Sequence, residues 1–188
     1  KWYGHVLGVS EVNWTVDGGV VGLLGPNGAG KSTLMKLMSG LIAPSQGEIR
    51  LFGESPRSHP EVRARVGYCP EHEKSYDKLT AHEFVTFMAE LSGLGTASKK
   101  RAADALEMMG MKKAMNRRIG GFSKGMRQRT KLAQCLVHDP DLIILDEPLT
   151  GVDPLARAEI SERIRKLGEQ GKTVVISSHV LYEIEALT

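Results

Sequence analysis

The sequence predicts an α/β fold: a mostly parallel sheet with covering helices, and an α-helical subdomain inserted between two halves of that sheet. Three observations carry this. Gly25-Pro26-Asn27-Gly28-Ala29-Gly30-Lys31-Ser32-Thr33 fits G-x-x-x-x-G-K-[ST], a phosphate-binding loop set between a buried strand and a helix. Leu142-Ile143-Ile144-Leu145 is a continuous apolar run, as expected of a strand covered on both faces. From about residue 72 to 137 the pattern is helical, while strand and helix alternate before and after it. Such alternation implies parallel strands joined by right-handed crossovers.

Bulk properties narrow the class. At 188 residues, 41% hydrophobic and 25% charged, the chain can bury one substantial core. A net charge of +3 is too small to argue for nucleic acid. The runs Lys99-Lys100-Arg101, Lys112-Lys113 and Arg117-Arg118 read as solvated helix faces. Cys69 and Cys135 lack metal spacing and suit a reducing compartment; Cys69 with His72 makes no zinc site. No apolar run approaches the ~20 residues needed to span a bilayer, so a membrane role needs a spanning partner.

Taken in order, Val12, Trp14 and Val16 alternate with polar neighbours as a half-buried strand would, and Asp17-Gly18-Gly19 is a turn. Val20 to Leu24 is a buried strand. Leu34, Leu37, Met38 and Leu41 recur at helical spacing and predict a helix over 31–41. Glu48 to Phe52 reads as a short strand, Pro56 to Pro60 as a loop, and Val66 to Cys69 as a strand stopped by Pro70. Thr80-Ala81-His82-Glu83 is a capping box that opens a helix through Leu91. Ala102, Ala105, Leu106 and Met109 mark the next helix, and Phe122-Ser123-Lys124-Gly125 starts a third. The methionines of this region read as core filler. Asp153-Pro154 caps a further helix that Gly168 and Gly171 close. Thr173 to Ile176 is a strand, and Val180, Ile184 and Leu187 begin a last helix.

The loop's chemistry follows from its residue types. Glycines let the chain curl so that successive N–H groups face one anion. Lys31 adds a mobile cation, Ser32 offers a hydroxyl to magnesium, and the following helix presents its positive end. Downstream, Asp146 ends the apolar strand and Glu147 follows at once. A strand-end Asp beside a phosphate loop holds magnesium, often through water; the adjacent carboxylate is placed to polarise an attacking water.

On these residues the chain resembles the nucleotide-binding domain of the ABC transporter family. Leu142 to Pro148 resembles the family's Walker B motif with its catalytic glutamate, and Thr150-Gly151-Val152-Asp153 the loop that crosses its dimer interface. Ser177-Ser178-His179 resembles the switch-histidine segment, and Phe122 to Met126 the signature. The resemblance implies a P-loop NTPase core, an ABC-type inserted helical subdomain and a short antiparallel β region. It implies one domain, partial at both ends, with 1–71 and 138–188 as catalytic core and 72–137 as helical subdomain. It also implies a site: Asn27, Gly28, Gly30, Lys31, Ser32 and Thr33 on ATP, with Mg2+ held by Ser32 and Asp146. Glu147 would act as base and His179 on the γ-phosphate. Ser123 and Gly125 would cap the nucleotide of a second, head-to-tail copy. Tyr3, 28 residues before Lys31, stands about where the family stacks an aromatic on adenine, with Trp2 its adjacent rival. His5 and His72 are read as ordinary histidines. A separate membrane-spanning permease would hold the subunit at the cytoplasmic face of the cell membrane.

Three departures mark the resemblance. The signature keeps Ser123 and Gly125 but has Phe122, Lys124 and Met126 at its other positions. Glu71 stands where most members carry Gln, as a candidate magnesium ligand whose added negative charge lies near Glu147. The chain also stops before the family's last strands. The Ser-Lys-Gly-Met and Pro-Glu features resemble a branch of bacterial exporters. Two rivals fit less well: ribosome-acting relatives carry twin cassettes, and chromosome ATPases insert a long coiled coil where only about 65 residues lie here.

Overall fold

A computed structural model describes residues 1–71 and 76–187. Along the chain the elements are β1 (Trp2–Tyr3), β2 (Val6–Leu7), β3 (Val20–Leu24), α1 (Lys31–Met38), α2 (Pro60–Arg63) and β4 (Val66–Cys69). There follow α3 (Ala81–Leu91), α4 (Ser98–Met108), α5 (Lys124–Leu136), β5 (Leu142–Leu145), α6 (Pro154–Glu169), β6 (Thr173–Ser178) and α7 (Leu181–Glu185). The main sheet runs in the order β3-β6-β5-β4, every pair parallel. The antiparallel component is the β1–β2 pair at the N-terminus.

Strand β5 is buried throughout, and its period of two divides the core. Leu142 and Ile144 join Met35 and Met38 of α1, with Val66 and Val175, on one face. Ile143 and Leu145 join Cys135, Ile160, Ile164 and Ile176 on the other, beneath α5 and α6. That second core continues into the helical insertion, where Phe84, Val85, Ala102, Leu106, Met109 and Leu132 pack together. The capping box of α3 is formed: Thr80 Oγ1 accepts from the Glu83 N–H at 3.1 Å, and Glu83 Oε2 accepts from the Thr80 N–H at 2.8 Å. Met35, Met38, Met109 and Met111 are buried; Met108 is exposed.

The strand order decides where function can sit. β3 and β6 are far apart in sequence yet neighbours in the sheet, with Leu23 opposite Ser177 and Leu24 opposite Ser178. The phosphate-binding loop after β3 and the Ser-Ser-His segment ending β6 therefore emerge side by side. Asp146 after β5 and Pro70 after β4 emerge next to them. In such sheets ligands bind in the crevice beyond the carboxyl ends of the strands.

Several local expectations are corrected. Val12 to Val16 form no strand; Val12 and Trp14 are exposed, and alternation without a partner strand does not make one. Glu48 to Phe52 reduces to an isolated Leu51–Glu54 bridge around a turn in which Phe52 and Gly53 have φ of 53° and 87°. Helix α1 ends at Met38, not Leu41. Gly40 turns left-handed (φ 74°), its N–H bonds the Leu37 carbonyl and the Leu41 N–H bonds that of Lys36, a Schellman ending. Pro60 opens α2 rather than closing a loop. Gly168 lies inside α6, against Val20. His72, read as ordinary, lies outside the described residues.

Because Ile143 is wholly buried, Ile143→Val should lower the unfolding free energy by about 1 kcal/mol, measured by urea titration. The same experiment on exposed Leu91→Ala should give under about 0.5 kcal/mol. Equal losses would contradict the assigned core.

Candidate functional site

A cleft of about 500 Å³ opens at the carboxyl edge of the sheet. Tyr3, Val6, Leu7 and Gly8 line one side, Asn27 through Thr33 the floor, and Glu71 and Glu147 the far wall. A second hollow, of about 290 Å³, lies away from this edge, and its charges pair locally: Arg50 with Glu48 at 3.0 Å, His59 with Glu54 at 3.6 Å.

The loop is built as its composition demands. Gly28 and Gly30 take φ of 84° and 92°, which L side chains rarely adopt. At Gly30 a Cβ would also lie 2.4 Å from the Gly8 carbonyl oxygen. Helix α1 starts there with no side-chain cap and no acidic residue in its first turn. The amides of Lys31, Ser32 and Thr33 thus open the helix before its internal ladder begins, an arrangement that suits an anion.

Lys31 is buried and fully engaged. Its Nζ donates to the carbonyls of Gly25 at 2.6 Å and Pro26 at 3.1 Å, and lies 3.3 Å from Glu147 Oε1. Glu147 is the hub. Its Oε2 accepts from Thr150 Oγ1 at 3.0 Å and meets His179 Nδ1 at 2.9 Å. Its Oε1 is buried and, apart from that ion pair, has no hydrogen-bond donor among the described residues. The backbone of Glu147 is left-handed (φ 49°), a strained state for this residue type. Ser177 holds it there: Ser177 Oγ accepts from the Glu147 N–H at 2.9 Å and donates to Asp146 Oδ1 at 2.8 Å. One hydroxyl so fixes both acids.

Burial pushes the Glu147 carboxyl upward, but hydrogen bonds from His179, Thr150 and Lys31 outweigh it and hold the group below its ordinary value. Near Asp146, the Tyr68 hydroxyl is buried without a partner among the described residues. Burial first, then the charge of Asp146, raises its pKa well beyond that of a free phenol.

The other expected residues divide into two groups. Tyr3 lines the cleft, its hydroxyl 3.5 Å from Thr33 Oγ1, whereas Trp2 is not part of the lining. Glu71 lines it too, and the Pro70 and Glu71 carbonyls both accept from Lys131 Nζ of α5, at 2.7 and 3.2 Å. Ser123 and Gly125 are outside the lining, at the start of α5. Ser123 Oγ caps that helix by accepting from the Met126 N–H at 3.2 Å. Gly125 is buried against α6, where an added Cβ would stand 2.7 Å from Ala156 Cβ. In the sequence Thr150 and Ser177 stand out only as parts of motifs. A hydroxyl three residues after Glu147 was the available signal for the first; the second needed the pairing of β5 with β6.

The donor set fits a magnesium-bound polyphosphate. Uncapped amides and Lys31 suit the phosphates, and Ser32 and Asp146 offer a hydroxyl and a carboxylate. Such a loop and acid pair, on a parallel sheet with a helical insertion, define a nucleotide-binding ATPase cassette. The ABC transporter family model matches residues 9–150, and the chain belongs to that family. It is 42% identical to the ABC transporter ATP-binding protein NatA of Bacillus subtilis (strain 168), over 97% of this chain and 76% of the relative. It is 40% identical to the bacitracin transport ATP-binding protein BcrA of Enterococcus faecalis, over 100% of this chain and 61% of the relative. This chain thus spans about three fifths to three quarters of those two proteins. Among solved structures it is similar to the ATP-binding cassette MJ0796, described as dimeric, in a post-hydrolysis state and bound to ADP and Pi. The TM-score is 0.85 at 26% identity, covering 95% of this chain and 83% of that one.

Two outcomes follow. Since the held-down carboxyl of Glu147 favours the folded state above its unfolded pKa of about 4.3, that stabilisation should fade as pH falls through and below this value. Denaturation of the parent should therefore depend more steeply on pH between about 5 and 3 than that of Glu147→Gln. Gly125→Ala should destabilise the nucleotide-free chain by about 1–3 kcal/mol in thermal unfolding, because the new methyl meets Ala156.

Proposed function

We propose that this chain is the ATP-binding and ATP-hydrolysing subunit of a membrane transporter, an exporter, working through a separate membrane-spanning permease. The observation that carries the reading is the meeting of Lys31 and Glu147 in the lining of the phosphate-loop cleft, with His179, itself outside that lining, bonded to Glu147.

In this reading the triphosphate lies along Asn27 to Thr33, with their amides on its oxygens and the base against Tyr3. The phosphates draw Lys31 away from the Gly25 and Pro26 carbonyls and from Glu147. Glu147 then keeps His179 and Thr150 as partners and gains an open oxygen, Oε1, directed at water. Kept ionised at neutral pH, it accepts the proton of the attacking water, and His179 holds it in place. Ser32 and Asp146, with Glu71 in reach of the cleft, would hold Mg2+, which supplies positive charge against that developing on the phosphates. Ser123 and Gly125, outside this cleft, serve the nucleotide of a second, head-to-tail copy; the dimeric cassette similar to this chain supports the presence of a second copy. Family membership supports ATP and Mg2+ as the ligands.

Among the described residues no helix is long and apolar enough to cross a membrane, so a permease would supply the pathway and the subunit would sit at the cytoplasmic face of the membrane. The Ser-Lys-Gly-Met signature, the Pro70-Glu71 pair and the relative named for bacitracin transport support an exporter.

Glu147→Gln should retain ATP affinity within a few-fold, accumulate an ATP-dependent dimer on gel filtration, and lose hydrolysis by about 100-fold or more. Hydrolysis at the parent rate would overturn the assigned base. Affinity capture from solubilised membranes should recover a membrane-spanning protein. Recovery of ribosomes or DNA in its place would overturn the transport reading.

A further inference from the structure

Two loops reach Glu147 from different strands: the segment after β5 through Thr150, and the end of β6 through His179. A second set of bonds ties those loops together behind the carboxylate. Its centre is Glu183 on α7, whose side chain is only 5% exposed. Glu183 Oε2 accepts from Ser178 Oγ at 2.6 Å, and Oε1 lies 3.2 Å from Arg157 Nη1 of α6. Arg157 donates from Nη2 to the Val152 carbonyl at 3.3 Å and from Nη1 to the Tyr182 hydroxyl. Ser178 Oγ also accepts from the Val180 N–H at 3.0 Å, and its carbonyl accepts from the Gly25 N–H of the phosphate loop at 3.3 Å. Both neighbours of His179 are thereby pinned. The circuit closes from Glu147 through Thr150, Val152, Arg157, Glu183, Ser178 and His179 back to Glu147.

Nothing about packing requires a carboxylate here. α7 has five residues, too few to be stable alone, and its apolar anchor is Ile184, set against Gly22 so closely that a Cβ there would lie 2.1 Å from Ile184 Cγ2. Burying a charge on so short a helix is unfavourable unless it is paired and hydrogen-bonded, and the partners of Glu183 are the last residue of β6, next to His179, and Arg157 of α6, which bonds the Val152 carbonyl.

We infer that Glu183, acting through Ser178, is a positioning residue that fixes the His179 imidazole against Glu147, and that Arg157 links this to the loop Thr150 to Asp153. The inference rests on the reading of Glu147 and His179 given above. It extends the hydrolytic machinery to an ion pair outside the cleft lining, in which Glu183 is buried and Arg157 is partly exposed.

Ser178→Ala in the full chain is the gentle test, since it cuts the link to His179 while leaving the Arg157–Glu183 pair in place. The expected result is a kcat lower by about 10-fold with KM and ATP affinity within 2-fold, and a changed histidine Nδ1 signal in ¹⁵N NMR. Glu183→Gln, which keeps an acceptor for Ser178, should lose less. The double variant should be no slower than the slower single variant, because both act through one link. The inference is overturned if Ser178→Ala hydrolyses at the parent rate while Glu147→Gln does not. It is equally overturned if melting temperature, affinity and kcat fall together, as a purely structural residue would make them. Hydrolysis at the parent rate by Glu147→Gln would instead remove the underlying reading.

Discussion

A buried ammonium and a buried carboxylate, 3.3 Å apart at the mouth of a parallel sheet, set the terms for the rest of this molecule. Neither charge is tolerable there alone, because desolvation of an unpaired ion costs several kcal/mol. The surroundings are arranged around that fact. Two loop carbonyls share Lys31, a hydroxyl and an imidazole share Glu147, and Ser177 holds the strained backbone that aims the acid. The sheet order makes the grouping possible by setting β6 between β3 and β5, so that three loops distant in sequence share one edge.

The pair has a chemical corollary under the proposed reading. Without a polyphosphate, the cation that would grip it and the base that would activate water neutralise each other. An anion in the loop competes for Lys31 and so exposes Glu147 Oε1. Substrate arrival and base release become one exchange of partners, with no large movement needed in the sheet. The Ser177 and Ser178 hydroxyls, adjacent in sequence, then divide the work: the first orders the two acids, the second fastens the histidine-bearing turn to α7.

Much of this was legible in the residues. The phosphate loop, the all-buried β5, the capping box at Thr80 and the Asp153 cap are local signals, and local signals need no knowledge of neighbours. Some failures lay where neighbours decide, and others, such as the end of α1 at Gly40 and the start of α2 at Pro60, lay in local turn and cap signals. Val12, Trp14 and Val16 alternate correctly but no strand pairs with them. Glu48 to Phe52 has strand-like residues that close on themselves. The site divides in the same way. Lys31, Asp146 and Glu147 announce themselves by motif, but the linking roles of Ser177, Arg157 and Glu183 come from strand pairing and from α6 meeting α7. Gly125 could be read from sequence as a phosphate contact; its abutment on Ala156 gives that glycine a packing reason as well.

Lys131 stands two turns along α5 from Ser123 and grips the carbonyls of Pro70 and Glu71. That helix has 13 residues, a rod about 20 Å long. Its tip carries the signature, and its shaft is hooked to the strand end that bears Glu71. A tilt of that tip would reach the end of β4 at more than one point, through the Lys131 ammonium and through Gln128, whose Nε2 donates to Cys69 Sγ at 3.8 Å, so that α5 is a lever with at least two fastenings to the rim of the cleft.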